Sequence, residues 1–333
     1  MSRAESGDPD AQMNLAVACD NSGMHEQALG WLRKAADNGH GPAQFVLGAR
    51  LLVGRAAPFD PNEGARWIRA AADQGMPQAL ALMSTLATLG GDWPAAVNFV
   101  KEAARLGDER AREQVELIGD PKRFVASDWD RPHEPQWRFQ SPAVGVIEGF
   151  IPPAFCQWII QRARPRLQSA RVKDAVAGGA REVDYRSNSG AGFGLLDTDL
   201  VLQMVNARVA DAIRIPLLHQ EPTNVLHYKV GEEYRHHCDF ITPSERHAEE
   251  LRIAGQRVAT VLIYLNDDFD GGETEFPELD WRFKGKPGDA LVFWNLSPDG
   301  QPDRRTLHAG LPPTRGEKWL YSKWVRANPY PFI

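Results

Sequence analysis

The strongest constraint on the fold is an internal repeat. Ala35-Ala36-Asp37-Asn38-Gly39 recurs as Ala71-Ala72-Asp73-Gln74-Gly75 and again as Ala103-Ala104-Arg105-Leu106-Gly107. The offsets are 36 and then 32 residues, which is the period of a stacked helix pair. In the same register Trp31, Trp67 and Phe99 correspond, as do Ala28, Gly64 and Ala96. Small residues let paired helices approach closely, and each glycine suits a left-handed helix C-cap. A new helix start follows each glycine, twice with proline in its first turn (Pro42, Pro77), where the missing N–H costs nothing. These features predict an α-solenoid over residues 7–118.

The remaining chain has a different texture. Asp120-Pro121 ends the helical pattern, and a proline-bearing stretch without period makes residues 119–141 a linker. Val144–Ile147 reads as a strand, and Phe155 opens an amphipathic helix running towards Leu167. From about residue 182 onward, short β-type runs alternate with Gly, Pro and Asp. The candidate strands are Asn224–Tyr228, Tyr234–Phe240, Val258–Leu265, Ala290–Trp294, Arg305–Ala309 and Trp319–Val325. This predicts an antiparallel jelly roll with flanking helices over residues 142–333, and so an α+β multidomain protein.

Composition excludes several function classes. A net charge of -6 offers no footprint for nucleic acid or an acidic membrane surface. No apolar run is long enough to span a bilayer, and the N-terminal residues lack an apolar signal core. Three scattered cysteines, Cys19, Cys156 and Cys238, support neither a disulfide framework nor a four-ligand zinc site. A cytoplasmic protein is the expectation.

The chemistry concentrates in Tyr234-Arg235-His236-His237-Cys238-Asp239. On a strand, His237 and Asp239 would point to one face, while His236 would point to the other. An imidazole and a carboxylate so placed suit a two-histidine, one-carboxylate Fe(II) site if a later histidine folds back. His308 is the candidate, followed ten residues on by Lys318. Two decoys fail. The glycines of Gly190–Gly194 lack a βαβ context, and Asn266–Gly271 lacks the glutamate that a calcium loop would need at Pro277.

Several stretches in order carry a resemblance. Tyr228-Lys-Val-Gly-Glu-Glu-Tyr-Arg-His-His-Cys-Asp239, Gly271-Gly-Glu-Thr-Glu-Phe-Pro277, Pro287-Gly-Asp-Ala-Leu-Val-Phe-Trp294 and the His308–Lys318–Trp324 spacing are similar to the prolyl 4-hydroxylase-like branch of the Fe(II)/2-oxoglutarate dioxygenases. The N-terminal units resemble Sel1-like repeats, relatives of the tetratricopeptide type. The resemblance implies His237, Asp239 and His308 as iron ligands, and Lys318 as the partner of the distal carboxylate of 2-oxoglutarate. It implies Tyr264 and Thr274 as neutral donors to that carboxylate, and Tyr228 at the keto-acid end. Tyr234, Arg257 and Trp324 match positions on the substrate side.

The implied reaction is oxidative decarboxylation of 2-oxoglutarate by O2, giving CO2 and succinate and hydroxylating an unactivated C–H. Ascorbate is an accessory the resemblance allows. The expected substrate is a prolyl residue of a peptide or protein, with the helical repeats as its holder. A free amino acid or small metabolite is the alternative substrate. A non-catalytic interaction module with a vestigial site is the alternative of another class.

Overall fold

The computed structural model describes residues 2–119, 134–169 and 186–331. They form two compact units, one holding the helical array together with Leu195–Gln203 and the other holding the sheets. No described helix is long and apolar enough to cross a membrane.

Among the described residues the helical array comprises eight helices: α1 (Ser2–Glu5), α2 (Pro9–Asn21), α3 (His25–Asp37), α4 (Gly41–Val53), α5 (Pro61–Asp73), α6 (Pro77–Leu89), α7 (Trp93–Arg105) and α8 (Glu109–Ile118). The starts are set by side chains. Asp8, Asp60, Asp92 and Asp108 accept from the amides of Ala11, Glu63, Ala95 and Ala111 at 2.7–3.0 Å. Each such cap contributes about 1 kcal/mol. The stops are Gly39, Gly75 and Gly107, at φ of 80°, 77° and 93°, where a side chain would be strained. Small residues carry the packing between helices. A Cβ on Gly64 would lie 2.9 Å from the Gly48 carbonyl oxygen, so α4 and α5 meet backbone to backbone. That close approach explains why glycine stands at 64 where the other units have Ala28 and Ala96. Ala28, Leu32, Ala35, Leu47 and Ile68 are fully buried between the helices.

The second unit is built of antiparallel strands. The large sheet has the order β1-β2-β11-β7-β14-β5-β4-β3. Its strands are β1 (Gln136–Gln140), β2 (Ala143–Ile147), β3 (Gln168–Ser169), β4 (Ser189–Phe193), β5 (Thr223–Tyr228), β7 (Arg257–Tyr264), β11 (Ala290–Trp294) and β14 (Lys318–Arg326). The smaller sheet runs β10-β9-β12-β6, from β6 (Tyr234–His237), β9 (Thr274–Phe276), β10 (Trp281–Phe283) and β12 (His308–Gly310). A third pair joins β8 (Asp270–Gly271) to β13 (Pro313–Arg315). Helices α9 (Pro153–Ala163), α10 (Leu200–Ile213) and α11 (Ala248–Ala254) flank them. This is the expected jelly roll.

The central strands read as continuous apolar runs because both faces are covered. Ala259, Val261 and Ile263 on one side of β7, and Thr260, Leu262 and Tyr264 on the other, are all buried. On the inner side Leu226, Tyr228, Tyr264, Phe269 and Leu320 form one cluster. Val144, Leu262, Phe276, Leu291 and Phe293 form a second. The site lies at the inner side of these sheets.

Three expectations are corrected. The linker assigned to 119–141 is too long, because Gln136–Gln140 pair with β2 as strand β1. Trp137 and Phe139 supply the β propensity that the neighbouring prolines masked. Residues 120–133 of that linker lie outside the described residues, as does the first part of the β-rich stretch. Strand β6 ends at His237 rather than reaching Phe240. The strand expected over Arg305–Ala309 begins as a 3-10 turn, Arg304–Thr306, capped by Asp303, and becomes extended only at His308.

Candidate metal and cosubstrate site

Sheet register brings the two distant histidines together. His308 of β12 lies directly opposite His237 of β6. Their rings are 4.3 Å apart. Asp239 stands beyond the end of β6, in a bend, so strand parity does not place it. It reaches the same point all the same. Its Oδ1 is 3.5 Å from His237 Nε2 and its Oδ2 3.7 Å from His308 Nε2. One ligand atom from each of the three residues lies within 4.8 Å of the others. Among the described residues, no other group of three metal-ligating side chains converges in this way.

The tautomers are set by the backbone. His237 Nδ1 lies 2.7 Å from the Arg235 carbonyl oxygen, and His308 Nδ1 lies 3.0 Å from that of Thr306. Each Nδ1–H therefore donates to a carbonyl, and each Nε2 lone pair is left to face the centre. Burial, with the neighbouring His237 imidazole, lowers His308 to about 4, so it is neutral, as a ligand must be. Burial alone would raise Asp239. The two imidazoles and Arg257 outweigh it and hold the carboxyl well below its usual range. Two imidazoles that present Nε2 and one ionised carboxylate fit a ferrous ion with coordination positions left open.

His236 goes the other way, as parity predicts. Its Nε2 meets Glu275 at 2.9 Å, and Glu275 also holds Arg282.

Lys318 is the second chemical feature. It is fully buried at the start of β14. Its Nζ has no hydrogen-bond partner among the described residues. It lies 5.0 Å from the Tyr228 ring and 5.5 Å from the Tyr264 ring. Burial pulls its amine down to about 7. An unpartnered buried amine is costly, and a ligand carboxylate is the partner that fits it. The cavity that the triad faces is lined also by Leu226, Tyr228, Tyr234, Thr274, Gly310, Leu320, Ser322 and Trp324. A Cβ on Gly310 would come 3.1 Å from the Tyr228 hydroxyl, so glycine leaves that hydroxyl its space.

The remaining expected residues divide. Thr274 and Tyr228 line the cavity. Tyr264 does not offer a free donor, because its hydroxyl donates to the Phe283 carbonyl at 2.7 Å. It also accepts from the Thr274 amide at 3.2 Å, so it orients Thr274. Tyr234 stacks on the His237 ring at 3.5 Å. Trp324 has a buried Nε1 with no partner among the described residues. Arg257 is not open to a substrate here. It makes two bonds to Glu221 at 2.7 and 2.9 Å, one to the Asp239 carbonyl at 3.3 Å, and stacks on Trp324 at 3.8 Å. Sequence reasoning missed Glu221. A buried carboxylate at that position carries no spacing signal, and only the fold shows it beside Arg257.

Comparison with known proteins bears on this arrangement. Residues 223–326 match the model of the 2OG-Fe(II) oxygenase superfamily. Prolyl 4-hydroxylase 1 of Arabidopsis thaliana is 34% identical over 242 residues, covering 68% of this chain and 80% of the relative. The chain belongs to the prolyl 4-hydroxylase family. It is therefore a 2-oxoglutarate-dependent dioxygenase, with helical repeats at its N-terminal side. Among solved structures it is similar to a viral collagen prolyl hydroxylase of Paramecium bursaria Chlorella virus-1, at 26% identity over 55% of this chain and 96% of that one, with a TM-score of 0.43. It is also similar to a Sel1 repeat protein from Oxalobacter formigenes, at 30% identity over 34% of this chain and 92% of that one, with a TM-score of 0.31.

Proposed function

We propose that this enzyme hydroxylates a prolyl residue of a peptide or protein, with CO2 and succinate as coproducts. The observation that carries the reading is the convergence of His237, Asp239 and His308 to within 4.8 Å, both Nδ1 atoms being tied back. These three would hold Fe(II), which supplies O2 activation and the oxidising power for C–H attack when bound. Lys318 would pair with the distal carboxylate of 2-oxoglutarate, and Thr274 would donate to it only by turning its hydroxyl away from that of Tyr264, 2.9 Å distant. Leu226, Leu262 and Leu320 would wall its methylenes, and Tyr228 would stand at the inner wall. Tyr234 and Trp324 would meet the substrate, Tyr234 also holding the His237 ring in plane. Arg257 would reach the substrate side only by leaving Glu221.

The relatives are prolyl 4-hydroxylases by name, which supports prolyl over other C–H bonds. The helical array, proposed to span 7–118, supports recruitment of a polypeptide, because stacked helix pairs present an extended surface. Ascorbate would serve as an accessory reductant. Incubation with Fe(II), 2-oxoglutarate and proline-containing peptides should yield succinate and a peptide heavier by one oxygen, and His237→Ala should yield neither. No succinate above that control, with any peptide tried, would count against the reading.

A further inference from the structure

The metal-ligand carboxylate is held unevenly, and the unevenness comes from outside the triad. Asp239 is almost wholly buried, so each of its oxygens needs a donor or a cation. Oδ2 has one: it accepts from the Thr260 hydroxyl at 2.7 Å. Among the described residues Oδ1 meets only the His237 Nε2, at 3.5 Å, longer than a hydrogen bond.

Thr260 is itself aimed. It sits fully buried in the middle of β7, opposite Phe293 of β11 and Trp324 of β14. The Asn295 side-chain amide donates to its hydroxyl oxygen at 3.0 Å. With a lone pair engaged by Asn295, the hydroxyl proton is free to point only at Asp239. Turning the Asn295 amide over would bring its oxygen against Thr260. One hydroxyl proton would then face two acceptors, and one of them would be left bare. Asn295 is fixed by its own backbone, whose amide donates to Val258 and whose carbonyl accepts from Asp303, both at 2.9 Å.

This relay is not accounted for by stability. Asn295 is fully buried, and its Oδ1 has no partner among the described residues. Such an oxygen costs about 1–3 kcal/mol where an apolar side chain would cost nothing. Valine would fill the place of Thr260 in a central strand equally well. The polar pair earns its place through the one thing it touches, the carboxylate.

We propose that Thr260, aimed by Asn295, is a positioning residue that occupies one oxygen of Asp239 and keeps the carboxylate a one-oxygen metal ligand. Held so, Asp239 leaves the neighbouring coordination positions to the keto acid and O2. Freed, it would swing to offer both oxygens and compete with the keto acid. The inference rests on the triad reading above.

Co(II) in place of Fe(II) tests it without turnover. The full chain is titrated anaerobically with Co(II) and, once loaded, with 2-oxoglutarate, following visible absorption. Thr260→Val should weaken Co(II) or 2-oxoglutarate binding by about 10–100-fold, as loss of a ligand's supporting hydrogen bond does. Thr260→Ser, which restores the hydroxyl, should return both to near the wild-type values. Asn295→Ala leaves the hydroxyl and removes only its aim, and should shift binding in the same direction by a smaller factor. It carries the test should Thr260→Val not fold. Tight wild-type binding, weak His308→Ala binding and unchanged binding in Thr260→Val and Asn295→Ala would overturn this proposal alone. A wild-type chain that takes up no Co(II), or a His308→Ala that binds like wild type, would overturn the triad and this proposal with it.

Discussion

Lys318 and Lys323 are five residues apart on β14, and both are buried with amines pulled down to about 7 by desolvation. By charge, burial and titration they are the same residue twice. Their partners separate them. Lys323 donates to the Glu221 carbonyl at 3.0 Å and the Thr223 hydroxyl at 2.6 Å. It thereby joins a network in which Glu221 also holds Arg257 and Arg326. Lys318 has two aromatic rings beside it and no acceptor among the described residues. An odd spacing on a strand sends the two to opposite faces. One amine has its acceptors within the protein, and the other has none among the described residues. A perturbed titration alone would have marked both as functional; the missing acceptor marks only one.

The sharpest way to break this contrast is to remove each amine in turn. Lys318→Ala should weaken 2-oxoglutarate binding to the Co(II)-loaded enzyme by at least about thirtyfold, the usual loss when one partner of a buried charge pair is cut away. Lys323→Ala should leave that affinity within a few fold. Anaerobic titration reads both. Equal losses in the two variants would end the distinction.

A second test uses the amine's low affinity for its proton. Binding a dianion needs Lys318 charged, while the empty site releases its proton near pH 7. Below pH 7 the amine is already charged and affinity should be flat. Above it, each 2-oxoglutarate bound must bring a proton with it, so the dissociation constant should rise by up to about tenfold per pH unit. Glu273 and Lys284 face this amine and act on it in opposite directions. Calorimetry in buffers of different ionisation enthalpy would count the proton directly. Lys318→Arg, charged throughout, should flatten the profile. A wild-type profile as flat as that of the arginine variant would show that Lys318 does not gate the cosubstrate.

Much of this was legible in the sequence, and the residues show why. Spacing singled out His237, His308 and Lys318, and the fold sets the two histidines beside Asp239 and buries Lys318 next to Tyr228 and Tyr264. The repeats were found because a stack of helices must repeat its small residues. Asp239 was singled out by strand parity, which the fold does not use, since the strand stops at His237 and the carboxylate reaches the histidines through a bend. Tyr264 and Arg257 were placed correctly in the neighbourhood, but their donors are committed to Phe283 and Glu221. A sequence shows which groups can donate and never which have already done so. Glu221, Thr260 and Asn295 lie far apart in the chain, and no periodicity links them. The difference between Lys318 and Lys323 is of the same kind, since it consists of two hydrogen-bond partners, the Glu221 carbonyl and the Thr223 hydroxyl at the start of β5.

The smallest effect is also the one whose sign separates the two lysines. Methionine matches the length of lysine without its charge. Lys318→Met removes an amine that pays for desolvation and receives no bond, and should stabilise the empty protein by about 1–2 kcal/mol. Lys323→Met leaves the Glu221 carbonyl and the Thr223 hydroxyl short of a donor and should destabilise it by a similar amount. In a domain of this size that is a shift of about 2–8 °C in opposite directions. The sign with pH follows from the lowered amine. The unfolded chain holds the proton up to about pH 10.5 and the folded one only to about 7, so the lysine's penalty grows as pH falls between them and is constant below. The gain from Lys318→Met should therefore be larger at pH 7 than at pH 10. Adding Co(II) and 2-oxoglutarate should raise the melting temperature of wild type and Lys323→Met, because a ligand bound only by the folded state stabilises it. Lys318→Met should respond to Co(II) but gain little more from 2-oxoglutarate. Thermal melts of the three proteins with and without ligand measure all of this, and destabilisation by both methionines would mean that Lys318 has an acceptor of its own.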